Sequence, residues 1–293
     1  MDLLTRMSMA LAYVEDNLAG DIDPERIAQI ACCSANNFNR MFSYITEISL
    51  TEYIRRRKLT LAAIELQANN MKVIDLAMKY GYDSPVSFSR AFQIQHGVTP
   101  TEARAGGVTL KAYPRISFRI TIKGEKGMKF RIEAKEAFQV FGVEHIYNND
   151  WSGAYPNYPH ELWEHTQANG SYDRLLAASG NPPGELCRIH ALCDYKNTEP
   201  NTWPYMLCAF KDPGSNTEGF SVVDIPAHTW VVFPSERFAW DKCMGVCDML
   251  HQRFFTEWLP TAEYEWANDM HFEIYGGDEE MGYIELWYPV KKK

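Results

Sequence analysis

A five-residue motif occurs twice in the first hundred residues of this 293-residue chain. Residues 38–42 are Phe-Asn-Arg-Met-Phe, and residues 88–92, 50 positions later, are Phe-Ser-Arg-Ala-Phe. In each copy a short apolar stretch and a turn precede an amphipathic stretch whose aromatic residues recur at helical spacing. This layout predicts two helix-turn-helix units in one chain, an arrangement typical of a monomer that binds two successive major grooves of DNA.

The second helix of each unit has an outward face suited to the edges of base pairs. We expect the phenylalanines of both motifs to face inward, which leaves amides, hydroxyls and arginines outside. Asn pairs well with adenine and Arg with guanine in the major groove. We also expect the basic run at residues 55–58 to face the phosphates. The predicted DNA-binding residues are Asn36, Asn37, Asn39 and Arg40 in the first unit and Val86, Ser87, Arg90 and Gln93 in the second.

One unbroken helix is predicted between the two units, over residues 50–66. Such a rigid spacer would hold the two recognition helices about one DNA turn, ~34 Å, apart. An ordinary helical bundle with polar outer faces is the alternative interpretation. Two copies of the motif in the same phase argue against it.

The net charge of −9 is distributed unevenly along the chain. Residues 1–107 contain 11 Lys and Arg against 12 Asp and Glu, so nearly all of the negative charge belongs to the remaining residues. An almost neutral region binds DNA only if its basic groups share one face. We therefore expect a modest and salt-sensitive affinity for DNA.

The seven cysteines indicate neither a zinc ribbon nor a disulfide framework, because their number is odd and none form a C-x-x-C pair. Cys243 and Cys247, four apart on a predicted helix, are expected to be small buried hydrophobic residues. We expect no metal and no cofactor. The chain shows neither a signal-type segment nor an apolar stretch of membrane-spanning length, which predicts a cytoplasmic protein without a membrane partner.

The sequence pattern changes from helical to alternating after residue 107. Residues 117–122 and 129–132 are predicted to form two strands of a hairpin. A weaker repeat comes next, in which residues 132–143 resemble residues 222–233 at a displacement of 90. A predicted helix and two further strands come after each copy. The helices are expected at about 158–170 and 240–257, and the strands at about 186–194, 203–210, 270–276 and 282–289.

The chain is therefore predicted to be multidomain. Residues 1–107 would form an all-α double helix-turn-helix domain. Residues 112–293 would form an α+β domain of duplicated β-α-β-β units with an antiparallel sheet.

Acidic residues lie among aromatic residues on the last two predicted strands, and all eight tryptophans lie beyond residue 107. Strand periodicity places Glu273 on one face with His271 and Tyr275, and Glu285 on one face with Trp287. A carboxylate lined by aromatic rings suits a lipophilic cation through charge pairing and cation–π contact. The pattern is equally compatible with an aromatic core and two glutamates at a solvated sheet edge.

Residues 3–106 resemble the DNA-binding domain of the AraC/XylS family of bacterial transcription regulators. The resemblance rests on the two Phe-x-Arg-x-Phe motifs, on the spacer with Tyr53 and Arg57, and on the glycines at 81 and 97. It implies that the first unit reads bases through Asn36, Asn39 and Arg40 and the second through Val86, Ser87 and Arg90.

Two departures from that family pattern concern the ends of the motifs. Ser43 and Gln93 stand where the family usually has a basic residue, and Glu47 stands where its first unit usually has glycine. Both departures lower the expected affinity for phosphates without removing the fold.

Residues from about 112 to 293 resemble the GyrI-like (SbmC-type) small-molecule-binding domain of Rob-type and multidrug-sensing regulators. The resemblance rests mainly on residues 227–233, 272–275 and 284–290. It implies a cleft between the two repeats that takes up hydrophobic ligands around aromatic rings and an acidic residue. The residues to which it assigns this role are Glu273 and Glu285, together with Trp203, Tyr205, Trp230, Tyr275 and Trp287.

These patterns together predict a ligand-responsive transcription regulator that is not an enzyme. Its expected partners are double-stranded DNA, a small hydrophobic or cationic effector, and RNA polymerase. One alternative is a hydrolase or sequestering protein of the GyrI-like kind, with a cleft glutamate as general base beside Tyr205 or Tyr275. Another is that the C-terminal domain is a protein-binding or dimerisation surface.

Overall fold

The computed structural model describes residues 3–68, 71–105, 107–118, 127–148, 159–180, 189–199 and 202–293. The chain forms two compact units, Met1–Arg119 and Ile120–Lys293. The first unit is helical and the second is built on an antiparallel sheet, as the sequence predicts.

Seven helices make up the first unit in its described residues. They are α1 (Leu3–Asp16), α2 (Pro24–Ala31), α3 (Ala35–Thr46), α4 (Leu50–Ala68), α5 (Val73–Lys79), α6 (Pro85–His96) and α7 (Pro100–Ala105). The pairs α2–α3 and α5–α6 are the two helix-turn-helix units, and α4 is the continuous spacer between them. Along the described ranges, no helix of either unit has the length and apolar character needed to cross a membrane.

The second helices of the two helix-turn-helix units, α3 and α6, begin in the same way. Ser34 and Ser84 have extended backbones, and their hydroxyls accept hydrogen bonds from the amides of Asn37 and Ser87 at 3.2 and 3.1 Å. Each serine thus satisfies one amide that the first turn of a helix leaves without a carbonyl partner. The 50-residue repeat of the sequence is therefore also a repeat of local geometry.

The motif phenylalanines form the cores of these units, as predicted. Phe38, Phe42, Phe88 and Phe92 are fully buried. In the second helix-turn-helix unit, Phe88 and Phe92 pack against α4. The buried residues of this cluster are Leu59, Ala62, Ala63, Leu66, Leu76, Ala77, Tyr80, Phe88, Phe92 and Ala103.

The extended segment of residues 107–118 packs against the helical unit. Arg57 of α4 donates a hydrogen bond to the Tyr113 carbonyl at 2.6 Å, and the Tyr113 amide donates to the Thr60 hydroxyl at 3.1 Å. The Phe118 ring lies edge-on to Phe42, with their centroids 6.3 Å apart. These contacts tie the segment to the spacer and to the first helix-turn-helix unit.

The start of the second domain therefore differs from the expectation. The sequence places it at residue 112, whereas residues 112–118 belong to the helical unit. The predicted strand does not form at residues 117 and 118, and Phe118 contacts an α-helix instead. The rest of that prediction, over residues 119–122, lies outside the described residues.

The basic run of α4 is engaged in ion pairs. Arg55 and Arg56 contact Glu52 at 2.7 and 2.5 Å, and Arg57 contacts Glu15 of α1 at 2.8 Å. The sequence predicts that this run faces the phosphates, but its arginines are paired with carboxylates of the same unit. Arg57 therefore stabilises the helical unit, whereas Arg55 and Arg56 remain 36% and 29% exposed and their contact with phosphates stays a prediction.

The second unit contains ten strands in its described residues. They are β1 (Arg131–Lys135), β2 (Phe138–Asn148), β3 (His190–Cys193), β4 (Thr202–Phe210), β5 (Ser221–Ile225), β6 (His228–Pro234), β7 (Phe238–Ala239), β8 (Tyr264–Trp266), β9 (His271–Gly277) and β10 (Met281–Lys292). Its helices are α8 (Pro159–Ala168), α9 (Ser171–Ala178) and α10 (Cys243–Arg253), and α10 continues into a wider turn at Phe254–Trp258.

The sheet has the internal symmetry that the sequence repeat predicts. β5 and β6 begin 90 residues after β1 and β2, and the main strand order is β1-β6-β10-β9-β3-β4-β2-β5. The first strand of each repeat pairs with the second strand of the other, because β1 pairs with β6 and β5 pairs with β2. The antiparallel pair β3–β9 joins the two repeats at the centre, a boundary that we call the repeat seam.

The sheet curves strongly around one of its faces. Phe138 of β2 and Trp230 of β6 have ring centroids 6.5 Å apart, although their strands are five positions apart in the sheet. In a flat sheet that separation would be about 24 Å. The concave face therefore encloses its own aromatic core, while α8, α9 and α10 pack on the convex face.

Glu47 provides a test of the helix-end geometry. It follows α3 with a φ of 60°, in the left-handed region, and Gly97 ends α6 in the same way with a φ of 78°. Because a side chain strains this conformation, we expect Glu47→Gly to stabilise the helical unit by about 1 kcal/mol. Urea unfolding followed by circular dichroism at the helix wavelength would measure this.

The reciprocal variant is the matched control for this prediction. A Cβ added at Gly97 would meet nothing within 4 Å, so Gly97→Glu tests backbone strain alone and should destabilise by a similar amount. All eight tryptophans lie in the second unit, and the unfolding midpoint from their fluorescence should stay constant. A destabilising effect of Glu47→Gly would contradict the interpretation that the left-handed backbone at Glu47 is strained.

The Glu15–Arg57 pair predicts a dependence of stability on pH. Burial acts to raise the pKa of Glu15, but hydrogen bonds from Arg57 and Tyr53 outweigh it, and the net pKa is lowered. The pair therefore stabilises above the unfolded pKa of about 4.3, and this contribution is lost as the pH falls through the lower folded pKa. We expect Glu15→Gln to cost about 3 kcal/mol at pH 7 because it leaves Arg57 buried without a carboxylate.

The measurement is urea unfolding of both proteins at pH 7, 4 and 3, again followed by circular dichroism. The difference between wild type and Glu15→Gln should shrink at the lower pH values, while tryptophan fluorescence from the second unit should give the same midpoint for both. A difference that stays constant down to pH 3 would refute the role of the Glu15 charge.

Candidate functional site

The second recognition helix, α6, presents the predicted residues to solvent. Val86 is 78% exposed, and Ser87, Arg90 and Gln93 are also exposed. The helical period places these side chains opposite the buried motif phenylalanines. This face carries an apolar group, a hydroxyl, an amide and a guanidinium, which together cover the main chemistries used for base contacts in the major groove.

The first recognition helix, α3, differs from the prediction at its start. Asn36 and Asn37 are only 5% and 2% exposed, so they do not lie on an outer surface. Ala35 and Phe38 are buried as well, which means that the first turn of α3 is enclosed on all sides. The Asn39 side-chain oxygen accepts a hydrogen bond from the first amide of α4 at 3.3 Å. Asn39 and Arg40 remain partly exposed.

The strand β9 places Glu273 beside the repeat seam. Alternation along this strand sends Phe272 into the concave core and Glu273 and Tyr275 to the convex face. Ala191 of β3 lies directly opposite Glu273 across the seam. The predicted grouping of Glu273 with Tyr275 is therefore present, at the place where the two repeats meet.

The Glu273 carboxylate is 8% exposed and contacts several polar groups. The Tyr275 hydroxyl donates to Oε2 at 2.7 Å, while Cys247 Sγ and His251 Nε2 lie 3.6 Å from Oε1. Burial raises the pKa of the Tyr275 phenol well above its ordinary value, and the charge of Glu273 raises it further. The phenol is therefore a permanent hydrogen-bond donor to this carboxylate.

Aromatic rings extend from Glu273 along the convex face. The Trp163 ring of α8 lies edge-on to Tyr275 at 5.3 Å, and its indole N–H donates to the Tyr205 hydroxyl at 3.0 Å. Trp203 lies 5.9 Å from Tyr205 and stacks on Tyr147 at 5.0 Å. The structure thus brings together Glu273, Tyr275, Tyr205 and Trp203 of the predicted residues. We call Glu273 and these five rings (Tyr147, Trp163, Trp203, Tyr205 and Tyr275) the convex cluster.

Glu285 lies on the opposite face of the sheet. Its carboxylate receives two hydrogen bonds from Arg131, both at 2.7 Å, and one from the Trp287 indole at 3.0 Å. Burial acts to raise the pKa of Glu285, but these bonds outweigh it and the pKa is lowered. Glu285 is therefore an ionised group whose charge is balanced by a guanidinium.

Trp230 and Trp287 also lie away from the convex cluster. Both belong to the buried core of the concave face, and their rings are 6.2 Å apart. The Lys135 ammonium covers the Trp287 ring at 4.3 Å. The single cleft that the sequence predicts for all seven residues is therefore divided by the sheet, with Glu285, Trp230 and Trp287 on the other side.

The residues around Glu273 and its aromatic neighbours that were not predicted as site residues from sequence include Tyr147, Trp163, Cys247 and His251. Trp163 is next to the buried Leu162 on an amphipathic helix, and this position was a signal that it faces the sheet. Cys247 and His251 are four apart on α10, the spacing of one helix face. Their proximity to Glu273 depends on the packing of α10 across β9, which no local pattern encodes.

Comparison with known families matches both parts of the chain. Residues 27–106 match the helix-turn-helix domain family, and residues 131–290, more than half of the chain, match the family described as integron-associated effector binding protein. The chain belongs to the AraC-type regulators with a GyrI-like effector-binding domain.

Known proteins match parts of this chain. The transcriptional activator AarP of Providencia stuartii is 39% identical over 95 residues, which are 32% of this chain and 70% of AarP. The regulatory protein SoxS of Escherichia coli K12 is 34% identical over 94 residues, 32% of this chain and 88% of SoxS. A transcription regulation protein of Staphylococcus aureus MU50 of known structure covers 56% of this chain and 99% of its own, with 17% identity and a TM-score of 0.43.

This AraC-type chain is a ligand-responsive, DNA-binding transcription regulator. The two family matches support that function and do not support the alternative of a small-molecule hydrolase.

Proposed function

We propose that this regulator responds to an organic cation that binds at Glu273. The observation that carries the proposal is the position of this carboxylate, buried beside the repeat seam among the rings of the convex cluster. The contacts of its oxygens include a phenol, a thiol and an imidazole. Glu285, in contrast, is held by the guanidinium of Arg131 on the other face of the sheet.

Electrostatics favours a cation at this position over a neutral ligand. A carboxylate that is removed from water loses hydration, and a positive charge placed beside it recovers part of that loss. Aromatic faces attract the same charge through their quadrupoles. Burial of apolar ligand surface against these rings adds a hydrophobic contribution of about 25 cal/mol per Å². A lipophilic cation is the class of ligand that uses all three.

For DNA, we propose that α6 supplies the main base contacts. Arg90 and Gln93 offer a guanidinium and an amide, and Val86 offers an apolar contact for a thymine methyl group. In α3 we propose base or phosphate contacts from Arg40 and Asn39. Asn36 and Asn37 are too deeply buried for such contacts, and we propose that they stabilise the start of α3 instead.

Other aspects of the proposed function depend on the binding of the effector and of DNA. A regulator that binds promoter DNA acts in the cytoplasm and works together with RNA polymerase, and we propose both for this protein. We also propose that Glu273 binds its ligand without turning it over. Sensing of toxic organic cations is the physiological role that fits such a site.

Glu273→Gln should weaken the binding of a lipophilic cation by about 10-fold or more, because it removes the charge and keeps the shape. Rhodamine 6G can serve as the probe, with fluorescence anisotropy as the measurement on the full chain without DNA. The uncharged dye Nile red should bind wild type and variant alike if it binds at all.

Glu285→Gln is the matched control for that experiment. It removes a carboxylate of the same domain from the opposite face, so the affinity for rhodamine 6G should stay within about 2-fold of wild type. Equal losses in both variants, or no loss in Glu273→Gln, would refute the assignment of the site. Formation of a product from the probe would favour the hydrolase alternative.

Arg90→Ala should weaken specific DNA binding by about 1–3 kcal/mol, or about 5- to 150-fold, as expected for loss of a bidentate contact to guanine. The DNA is a duplex selected from a random pool by the wild-type protein, and the measurement is fluorescence anisotropy at fixed salt. Arg174→Ala removes an exposed arginine of α9 and serves as the control for net charge. A loss in Arg174→Ala as large as that in Arg90→Ala would contradict a specific role for α6.

A further inference from the structure

Four side chains with metal-binding atoms meet around the carboxylate of Glu273. Cys247 and His251 lie one turn apart on α10, which places them on one face of that helix. His271 and Glu273 are two apart on β9 and share the convex face of the sheet. Cys193 of β3 lies directly opposite His271 across the repeat seam. A pair of residues on α10 and a pair on β9 therefore face the same point.

Each of two groups of three has its ligand atoms within 4.8 Å of one another. The first group is Cys247, His251 and Glu273, and the second is Cys193, His271 and Glu273. All five residues are buried, so water does not compete freely for their donor atoms. Because both groups include Glu273, its carboxylate is the centre of the arrangement.

Two of the three distances in the first group match those of a tetrahedral site, and the third is within 4.8 Å. Cys247 Sγ and His251 Nε2 both lie 3.6 Å from Glu273 Oε1. Ligand atoms about 2.0–2.3 Å from a tetrahedral zinc ion are about 3.3–3.8 Å from each other. These three atoms would need little movement to coordinate one ion.

The orientation of His251 is fixed by a second contact. Its Nδ1 atom is hydrogen-bonded to the Tyr288 hydroxyl, and this leaves Nε2 on the side of Glu273. Histidine ligands of metals generally have such a partner on their other ring nitrogen, which sets the direction of the ring. The His251 ring also lies nearly perpendicular to that of His271, with centroids 5.2 Å apart.

We propose that this domain binds a zinc ion through Cys247, His251 and Glu273, with a fourth ligand from Cys193 or His271. Thiolate and imidazole donors in a buried tetrahedral arrangement favour Zn²⁺ over the oxygen-loving cations Mg²⁺ and Ca²⁺. Glu273 lies at the repeat seam, so the ion would join α10 to it. This site departs from the sequence expectation that Cys247 is only a small hydrophobic residue.

The zinc site shares Glu273 with the proposed organic-cation site but does not depend on it. One carboxylate cannot serve both cations fully, so bound zinc is expected to weaken rhodamine 6G binding. Metal binding is measured without the dye, and dye binding is measured after removal of metal. Failure of either proposal can therefore be recognised separately.

The experiment is a titration of the metal-free, reduced full chain with Co²⁺ under argon. We expect one equivalent to bind, with a thiolate-to-cobalt band in the near ultraviolet and the visible bands of a tetrahedral ion. Zn²⁺ should displace Co²⁺ and abolish both, which gives the zinc affinity by competition. A cobalt complex without a thiolate band, or no binding, would overturn the proposal.

Variants locate the site within the chain. Cys247→Ser should weaken Co²⁺ binding by about 100-fold or more, since even loss of a partner behind a metal ligand costs about 10- to 100-fold. Cys193→Ser and His271→Gln are compared to find the fourth ligand, and one of the two should show a similar loss. Cys208→Ser is the control, because Cys208 is equally buried but belongs to the concave core. Its cobalt spectrum should equal that of wild type.

Tyr288→Phe tests the site without removing a ligand. It deletes only the hydroxyl that contacts His251, so we expect about a 10- to 100-fold weaker affinity with the thiolate band retained at saturation. Circular dichroism confirms that each variant is folded. A thiolate band that persists in a Cys193→Ser/Cys247→Ser double variant, or is equally lost in Cys208→Ser, would overturn the assignment.

Discussion

The pairing of β3 with β9 is the constraint on which the effector-binding unit depends. Each repeat contributes half of the sheet, and this one antiparallel pair joins the halves at the centre. The outer strands β1 and β5 are held in place because each pairs with a strand of the other repeat. Because two-residue alternation is fixed by that pairing, Glu273 must face the helices while Phe272 enters the concave core. Both sites proposed for this unit lie at the repeat seam.

Much of this unit could be predicted from its sequence, because strand and helix positions reflect local periodicity and the 90-residue repeat. Which glutamate belongs to the convex cluster could not be predicted. Glu273 and Glu285 both occur among aromatic residues on neighbouring strands, and the register between β9 and β10 decides that they point to opposite faces. Arg131, which pairs with Glu285, is 154 positions away in the chain. Such distant partners leave no local signal.

In the helical unit, too, some features could be predicted from the sequence and others could not. The 50-residue repeat predicts both helix-turn-helix pairs and their buried phenylalanines, because helical spacing alone sets those positions. The prediction that Asn36 and Asn37 lie on an outer surface is wrong. A polar side chain on the solvent side of a helical wheel is still buried when the whole turn is enclosed. That the basic run of α4 faces phosphates stays a prediction, and among its arginines Arg57 is paired with Glu15 of another helix. The similar sequences of the two units therefore conceal different surfaces, and α6 is the more exposed recognition helix.

Residues 107–118, the last described segment of the helical unit, are held against its spacer helix. This segment is hydrogen-bonded to Tyr53, Arg57 and Thr60 of α4. The α4 helix is also the spacer that separates the two recognition helices. Glu15 holds Tyr53 and Arg57 in turn, so the segment, the spacer and α1 share one hydrogen-bond network. The segment that ends at residue 118 is therefore fixed to the element that separates the two DNA-binding helices.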